Sequence, residues 1–478
     1  MKRTAGVGVA VAAVAVAGWV GGTWYTGKRI EETARKASTD ANATNTFGIT
    51  LEWLSYERGV FSSTSRYRMT VPRPGQDAVV VVMDNKINHG PLPLDRLARA
   101  ELKPVSATSE SFLVRDEGLG KELKTVDVGA TIRANSVIDY DENVAFDLAT
   151  PAMRYEQDGG TLELGAGRVE GSTVKATTHV KMNGTLASVR ATSPAPGPLA
   201  IDLRNLTMTV DSQAGRFGMQ VGDSAFRIGG FSVSGPTPED VPFSFTGDEF
   251  GVAWHMAEDE KFVNAHLSYN LGKLAVNKTE IGDIDLRLVA RQLDGVATAK
   301  LVDAYRAQIS TVPAATGPDA TRDTMATLRT PINEVLAGKP SLALDSLIWT
   351  TPLGQSKLTI DATLMQRDGP ANPTPQPRPD LGFENAALDL SVSQAALIDT
   401  IARFTKTGPG GRPITLAQAN EQATQQLRMM LQGATQNSLV VVNQDKIESQ
   451  VTFDGTSVLV NGKEPPPQLL RGLLQMVP

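Results

Sequence analysis

The sequence predicts an α+β fold dominated by strands: an N-terminal transmembrane helix followed by large antiparallel β-sheets with helical insertions. Three observations lead there. One uncharged run near the N-terminus is long enough to span a bilayer. Apolar and polar residues then alternate at period two through segment after segment, with Gly, Asn and Asp at the breaks. Helical periodicity is confined to a few islands.

Residues 1–26 form the expected anchor. Lys2 and Arg3 precede an uncharged run from Thr4 to Thr26, 23 residues long, and Trp19, Trp24 and Tyr25 gather toward its far end. Amphipathic rings favour the membrane interface. A cleaved signal peptide ending near Ala15-Val16-Ala17 is the competing reading, but the apolar stretch continues past that point. Gly18 and Gly22 form a small-xxx-small pair, which gives a second copy of the helix a route of close approach and the chain a route to a homo-oligomer. Residues 27–46 read as a polar helical stalk in which Ile30 is the one large apolar residue.

Residues 47–293 read as an N-terminal β-rich region. It opens with a hairpin: Ile49, Leu51 and Trp53 alternate with Thr50, Glu52 and Leu54, and after a bend at Arg58-Gly59 the residues Phe61, Ser63, Ser65, Tyr67 and Met69 share one face. The same layout, an aromatic arm, a glycine turn and an alternating arm, recurs at Tyr155, Gly159-Gly160, Leu162 and Leu164. Residues 93–102, "PLDRLARAEL", are a helical island inside this region. Residues 294–340 form a helical segment. Residues 341–478 read as a C-terminal β-rich region with helices near 394–435. It repeats the hairpin layout at Trp349, Gly354, Leu358 and Ile360, carries a Pro-rich loop at 367–380, and ends in a short helix.

The chain has 478 residues, a net charge of -6 and no cysteine. Acidity and the lack of a basic stripe argue against nucleic acid as a partner. Disulfides, thiolate metal sites and cysteine nucleophiles are excluded. The run "GTWYTGK" from Gly22 has phosphate-loop spacing, yet it closes an apolar span and is followed by Arg29 where Ser or Thr is needed. "DYDENV" at 139–144 starts like a calcium loop but has Val144 where glycine is required and Thr150 where a bidentate glutamate belongs, so it reads as a turn.

The histidines are His89, His179, His255 and His266; none forms HExxH and no two lie three to five residues apart, although a pair assembled by the fold stays open. His89 stands in "NHGPLPL", after a strand and before a Gly-Pro turn, and reads as a turn histidine bonded to backbone. No catalytic, cofactor-binding or metal-binding residue is named, and no cofactor is expected. Nine residues are set apart as motif positions of unassigned role: Tyr56, Arg58, Gly59, Phe61, Ser62, Ser63, His89, Gly90 and Pro91.

Several stretches resemble the YdgA-like family, a bacterial domain of unknown function. They are "GGTWYTGKRIE" at the end of the span, "YERGVFSS" at the first hairpin, "NHGPLPL", "SYNLGKLAVNKTEIGDIDLRLVARQLDGVA" and the late "VLVNGKE". Leu92, where the family tends to have Phe, and the loop at 367–380 depart from it. The resemblance implies an inner-membrane anchor through residues 4–26 with the body in the periplasm of a Gram-negative bacterium. It brings no activity. The expected function is that of a non-enzymatic envelope protein, a scaffold that binds lipid or envelope proteins through a β-sheet face. The alternative is an envelope hydrolase whose site the fold assembles, around His89 and Tyr56-Glu57-Arg58. Helices at 294–338 and 394–435 could instead cover the apolar face, leaving no groove.

Overall fold

Period-two alternation becomes antiparallel strand pairing almost everywhere it occurs. The computed structural model describes residues 50–73, 76–115, 117–119, 124–125, 132–157, 159–174, 179–194, 197–237, 241–311, 318–366, 381–405 and 413–466, with Thr23, Lys28, Glu31, Glu32, Arg35 and Thr39 earlier in the chain. The expected anchor (apart from Thr23), the loop at 367–380 and nearly all of the expected tail helix lie outside the described residues. Among the described residues no helix is long and apolar enough to cross a membrane. The described positions of the expected stalk are helical.

Two compact units result. The first holds residues 1–194, 206–214 and 306–315; the second holds 195–205, 215–305 and 316–478. The division between them falls within the stretch read from sequence as one N-terminal β-rich region.

The first unit is an antiparallel meander. Its elements are β1 (Thr50–Arg58), β2 (Ser62–Arg73), β3 (Gln76–His89), the short helix α1 (Leu94–Ala98), β4 (Ala107–Leu113), β5 (Lys124–Thr125), β6 (Arg133–Ile138), β7 (Val144–Thr150), β8 (Met153–Gln157), β9 (Gly160–Leu164), β10 (Gly167–Val174) and β11 (His179–Thr192). Pairings run β1–β2–β3–β4–β6–β7–β10–β11, while β8 pairs with β9 and β9 with β11. Successive strands are neighbours because short turns join them, the low-cost way to close antiparallel pairs.

Three details differ from simple alternation. A register shift between Trp53 and Ser55 places Tyr56, not Ser55, opposite Ser65 and on the same face as Leu51 and Trp53. The island at 93–102 forms only the five helical residues of α1, because Ala100 adopts a left-handed φ of 58° and Glu101 N–H returns to the Arg96 carbonyl. The acidic cluster at 139–143 is a turn, with Asp139 Oδ1 accepting from the N–H groups of Asp141 and Asn143 at 2.9 Å each.

A further strand, β12 (Ala200–Ala214), contributes residues to both units. The second unit repeats the meander with β13 (Gln220–Pro236), β14 (Pro242–Gly247), β15 (Glu249–Glu258), β16 (Phe262–Val276), β17 (Thr279–Asp294), β18 (Ser341–Thr351), β19 (Gly354–Gln366), β20 (Leu381–Ser393), β21 (Val441–Asn443), β22 (Lys446–Phe453) and β23 (Val458–Val460). The pairings run β13–β15–β16–β17–β18–β19–β20–β22, with β14 beside β13 and β16, and β21 and β23 beside β22. The recurring hairpins fall where the glycines predict: Tyr155 faces Leu162 across the β8–β9 turn, and Thr351 pairs with Gly354 at the β18–β19 turn.

Helices α2 (Gly295–Thr311) and α3 (Pro318–Ala337) join β17 to β18, and α4 (Gln394–Phe404) and α5 (Leu416–Gln436) join β20 to β21. Leu336 and Ile332 of α3 pack on Ala362, Leu364, Phe383 and Ala386. Ala402, Ala419 and Ala423 seal α4 against α5, and α4 also touches β17, β19 and β20.

Candidate functional site

All nine motif positions converge at one end of the first unit. Gly59 makes the β1–β2 bend, its N–H donating to the Ser62 carbonyl at 2.8 Å; a side chain there would press on that same oxygen. Register then pairs Ser63 with both Arg58 and Ile87, and Ser62 with Asn88. This carries the end of β3 back to the bend, so that His89 N–H donates to the Phe61 carbonyl at 2.8 Å. Past His89 the chain enters a cis Gly90-Pro91 bond. Gly90 N–H donates to the Ser106 carbonyl and the Pro91 carbonyl accepts from Val105 N–H. A methyl group at Gly90 would overlap the Val105 carbonyl oxygen.

The His89 side chain is fully buried and held at both nitrogens. Nδ1 lies 3.2 Å from the Val60 carbonyl and Nε2 lies 2.8 Å from Ser63 Oγ. A carbonyl only accepts, so Nδ1 carries the proton and Nε2 accepts from the serine hydroxyl. Burial lowers the His89 pKa below its ordinary value and keeps the ring neutral, as this pattern requires.

Beside it, burial raises the pKa of Tyr56. Trp53 Nε1 and Ser65 Oγ are buried without a hydrogen-bond partner. Arg58 reaches Glu31 on the stalk at 3.5 Å, tying the bend to the segment that precedes it. The hydroxyl-rich text thus lines one end of the sheet face with small side chains, and Ser109 Oγ and Ser111 Oγ converge on Asn85 Oδ1 at 2.6 and 3.2 Å. A serine activated by histidine is nucleophile chemistry in outline. Here Ser63 is 1% and His89 0% exposed, so both side chains are closed off from solvent.

The second feature is larger. In the second unit a single cross-strand row runs Trp254, Leu267, Leu288, Leu344, Ile360, Leu388, Val451, Val460. The next row runs Val252, Tyr269, Leu286, Leu347, Leu358, Leu390 and ends at Ser449. Charged residues occupy the opposite face, where Arg291 bridges Asp345 and Asp361. Helix α3 covers this apolar face around Ala362 and Ala386. Elsewhere Trp254 (59%), Leu342 (43%) and Leu288 (37%) remain exposed.

The first unit has the same two-sided character. Leu148 and Val169 pair on one face, while Arg66–Asp84, Arg68–Glu52 and Arg168–Asp147 ion pairs hold the other. Alternation at period two makes these faces legible in the sequence. The contact of His89 with Ser63, 26 residues apart, is not legible there, because nothing in either segment names its partner.

These features define a class: a β-dominated α+β protein of two antiparallel meanders with apolar sheet faces and a buried serine–histidine clasp. The chain belongs to the family described as a bacterial protein of unknown function, DUF945, which matches residues 1–468. It is similar to Protein YdgA of Escherichia coli strain K12, at 26% identity over 382 residues, covering 76% of this chain and 75% of that protein. It is also similar to the uncharacterized protein YihF of the same strain, at 22% identity with 97% of both chains covered. An uncharacterized protein of Haemophilus influenzae matches at 30% identity over 119 residues, 23% of this chain and 31% of that one. No solved structure matches the chain.

Proposed function

We propose that the protein is a non-enzymatic component of the Gram-negative envelope, tethered to the inner membrane by residues 4–26 with its body in the periplasm, and that it binds lipid acyl chains on an apolar sheet face. The observation that supports this most is the unbroken apolar row from Trp254 to Val460. Eight strands at the usual inter-strand spacing make it about 34 Å long. An acyl chain brings no polar groups to be satisfied, and beyond the half-exposed Trp254 indole N–H the side chains of this row offer none. A protein partner would bring backbone amides and carbonyls that lose water without replacement there.

The test is lipid mass spectrometry on the full chain extracted in mild detergent, alongside an unrelated protein with a single apolar span. Phospholipid recovered above the control supports the reading. Recovery of a stoichiometric protein with no excess lipid replaces it with a protein scaffold.

A hydrolase is the second reading, favoured by the 2.8 Å approach of Ser63 Oγ to His89 Nε2. It requires that the cluster open, since both side chains are buried. Ester hydrolysis by the full chain that disappears in Ser63→Ala, with folding retained, would overturn the non-enzymatic reading.

A further inference from the structure

The polar face of the second unit holds a histidine pair that the apolar-face reading does not use. His255 on β15 and His266 on β16 are directly opposed, and Asp223 on β13 stands opposite His255 in the same row. Their ring centres are 5.9 Å apart with planes inclined at 66°. His255 Nδ1 lies 2.8 Å from Asp223 Oδ1. A carboxylate only accepts, so Nδ1 carries the proton and the Nε2 lone pair of His255 is left for another partner. This is the carboxylate–imidazole arrangement that orients ligand histidines in metal sites and raises their basicity.

We propose that His255 and His266 together bind one divalent transition cation of the Cu²⁺, Ni²⁺ or Zn²⁺ class, with Asp223 as the positioning residue for His255. A metal about 2 Å from an imidazole nitrogen sits roughly 3 Å from the ring centre, so two rings on one ion lie at most about 6 Å apart. The observed separation of 5.9 Å fits within that limit. Both side chains reach solvent, His255 at 45%, which gives the ion a path in and leaves room for water ligands. Arg287 and Arg291 on β17 flank His266's neighbour Val289, and Asp345 and Asp361 offset their charge. Among the described residues no three His, Asp or Glu side chains converge to enclose an ion, so two imidazoles are the protein's share and water supplies the rest. Two nitrogen ligands without a cage bind Cu²⁺ most tightly of these ions.

The experiment is titration of the full chain in detergent with Cu²⁺ alone, read by equilibrium dialysis and by the nitrogen hyperfine pattern in electron paramagnetic resonance. One ion per chain with two imidazole nitrogens is expected. H255Q and H266Q should each weaken binding at least tenfold, and H179Q should leave it unchanged. D223N should weaken it about tenfold or more and move the pH at which binding is half-maximal. Circular dichroism checks that each variant keeps its sheet content. Wild-type affinity in the H255Q/H266Q double variant, or no uptake by the wild type at 1 mM Cu²⁺ (a concentration of roughly the weakest specific sites), overturns the proposal.

Discussion

His89 ties the end of β3 to the first hairpin, 26 and 29 residues earlier, through Ser63 on β2 and the Val60 carbonyl at the bend. Replacing it with Ala removes its bonds to the Ser63 hydroxyl and the Val60 carbonyl and opens a cavity at a fully buried position, a loss of about 3 kcal/mol. Urea denaturation of the two proteins measures that loss. The same ring makes stability depend on pH. Its folded pKa lies below the ordinary 6.5, so the unfolded chain takes up the proton first. Its contribution is complete above pH 6.5 and is lost as the pH falls through the lowered folded value. Between pH 7 and pH 5 the urea midpoint of the wild type should drop more than that of His89→Gln. An equal drop would remove His89 from the account. Gly90→Ala meets the Val105 carbonyl and should destabilise the protein more than Gly433→Ala, which meets open space; thermal unfolding compares them. At this scale the sequence was informative about type and silent about partner. Glycine at 59 and 90 signals tight backbone, while the Ser63–His89 contact follows from a register that only the folded sheet sets.

At the scale of elements, the hairpins were legible because turn glycines and alternation are local. Trp349 and Leu358 stand on the same face, as their spacing around Gly354 predicts. The register shifts were not legible. The one between Trp53 and Ser55 swaps which residue joins Leu51 on the sheet face, and cross-strand pairing selects it against the local pattern. The helices over the second unit depend on their first turns. Ser393, fully buried, caps α4 by accepting from Ala396 N–H and donates to Asp445 Oδ2 at 3.0 Å. Thr415 caps α5 through a reciprocal box with Gln418, in solvent. Ser393→Ala should therefore cost about 2 kcal/mol and Thr415→Ala about 1 kcal/mol, read from chemical denaturation. Equal costs would show that burial of the first cap adds nothing.

At the scale of the molecule, each meander separates an apolar face from one laced with ion pairs. That separation was legible: period two assigns every second residue to one side, and the strands in sequence order become neighbours in space. What covers the apolar side was not legible, because helices α3, α4 and α5 are amphipathic whichever strands they meet. Helix α3 takes the region of Ala362 and Ala386, and Trp254, Leu288 and Leu342 keep solvent exposure. Trp254→Glu should lower lipid recovery severalfold while changing the urea midpoint little, since the ring is already 59% exposed.

The central claim, that one sheet face holds acyl chains, is tested most directly by photo-crosslinking in intact cells. A photoreactive side chain is placed at Leu286 or Leu288 on the apolar face, or at Asp285 or Arg287 on the face opposite. Lipid adducts at the first two positions and none at the second two are predicted. Equal labelling of both faces, or adducts at neither, would contradict the account.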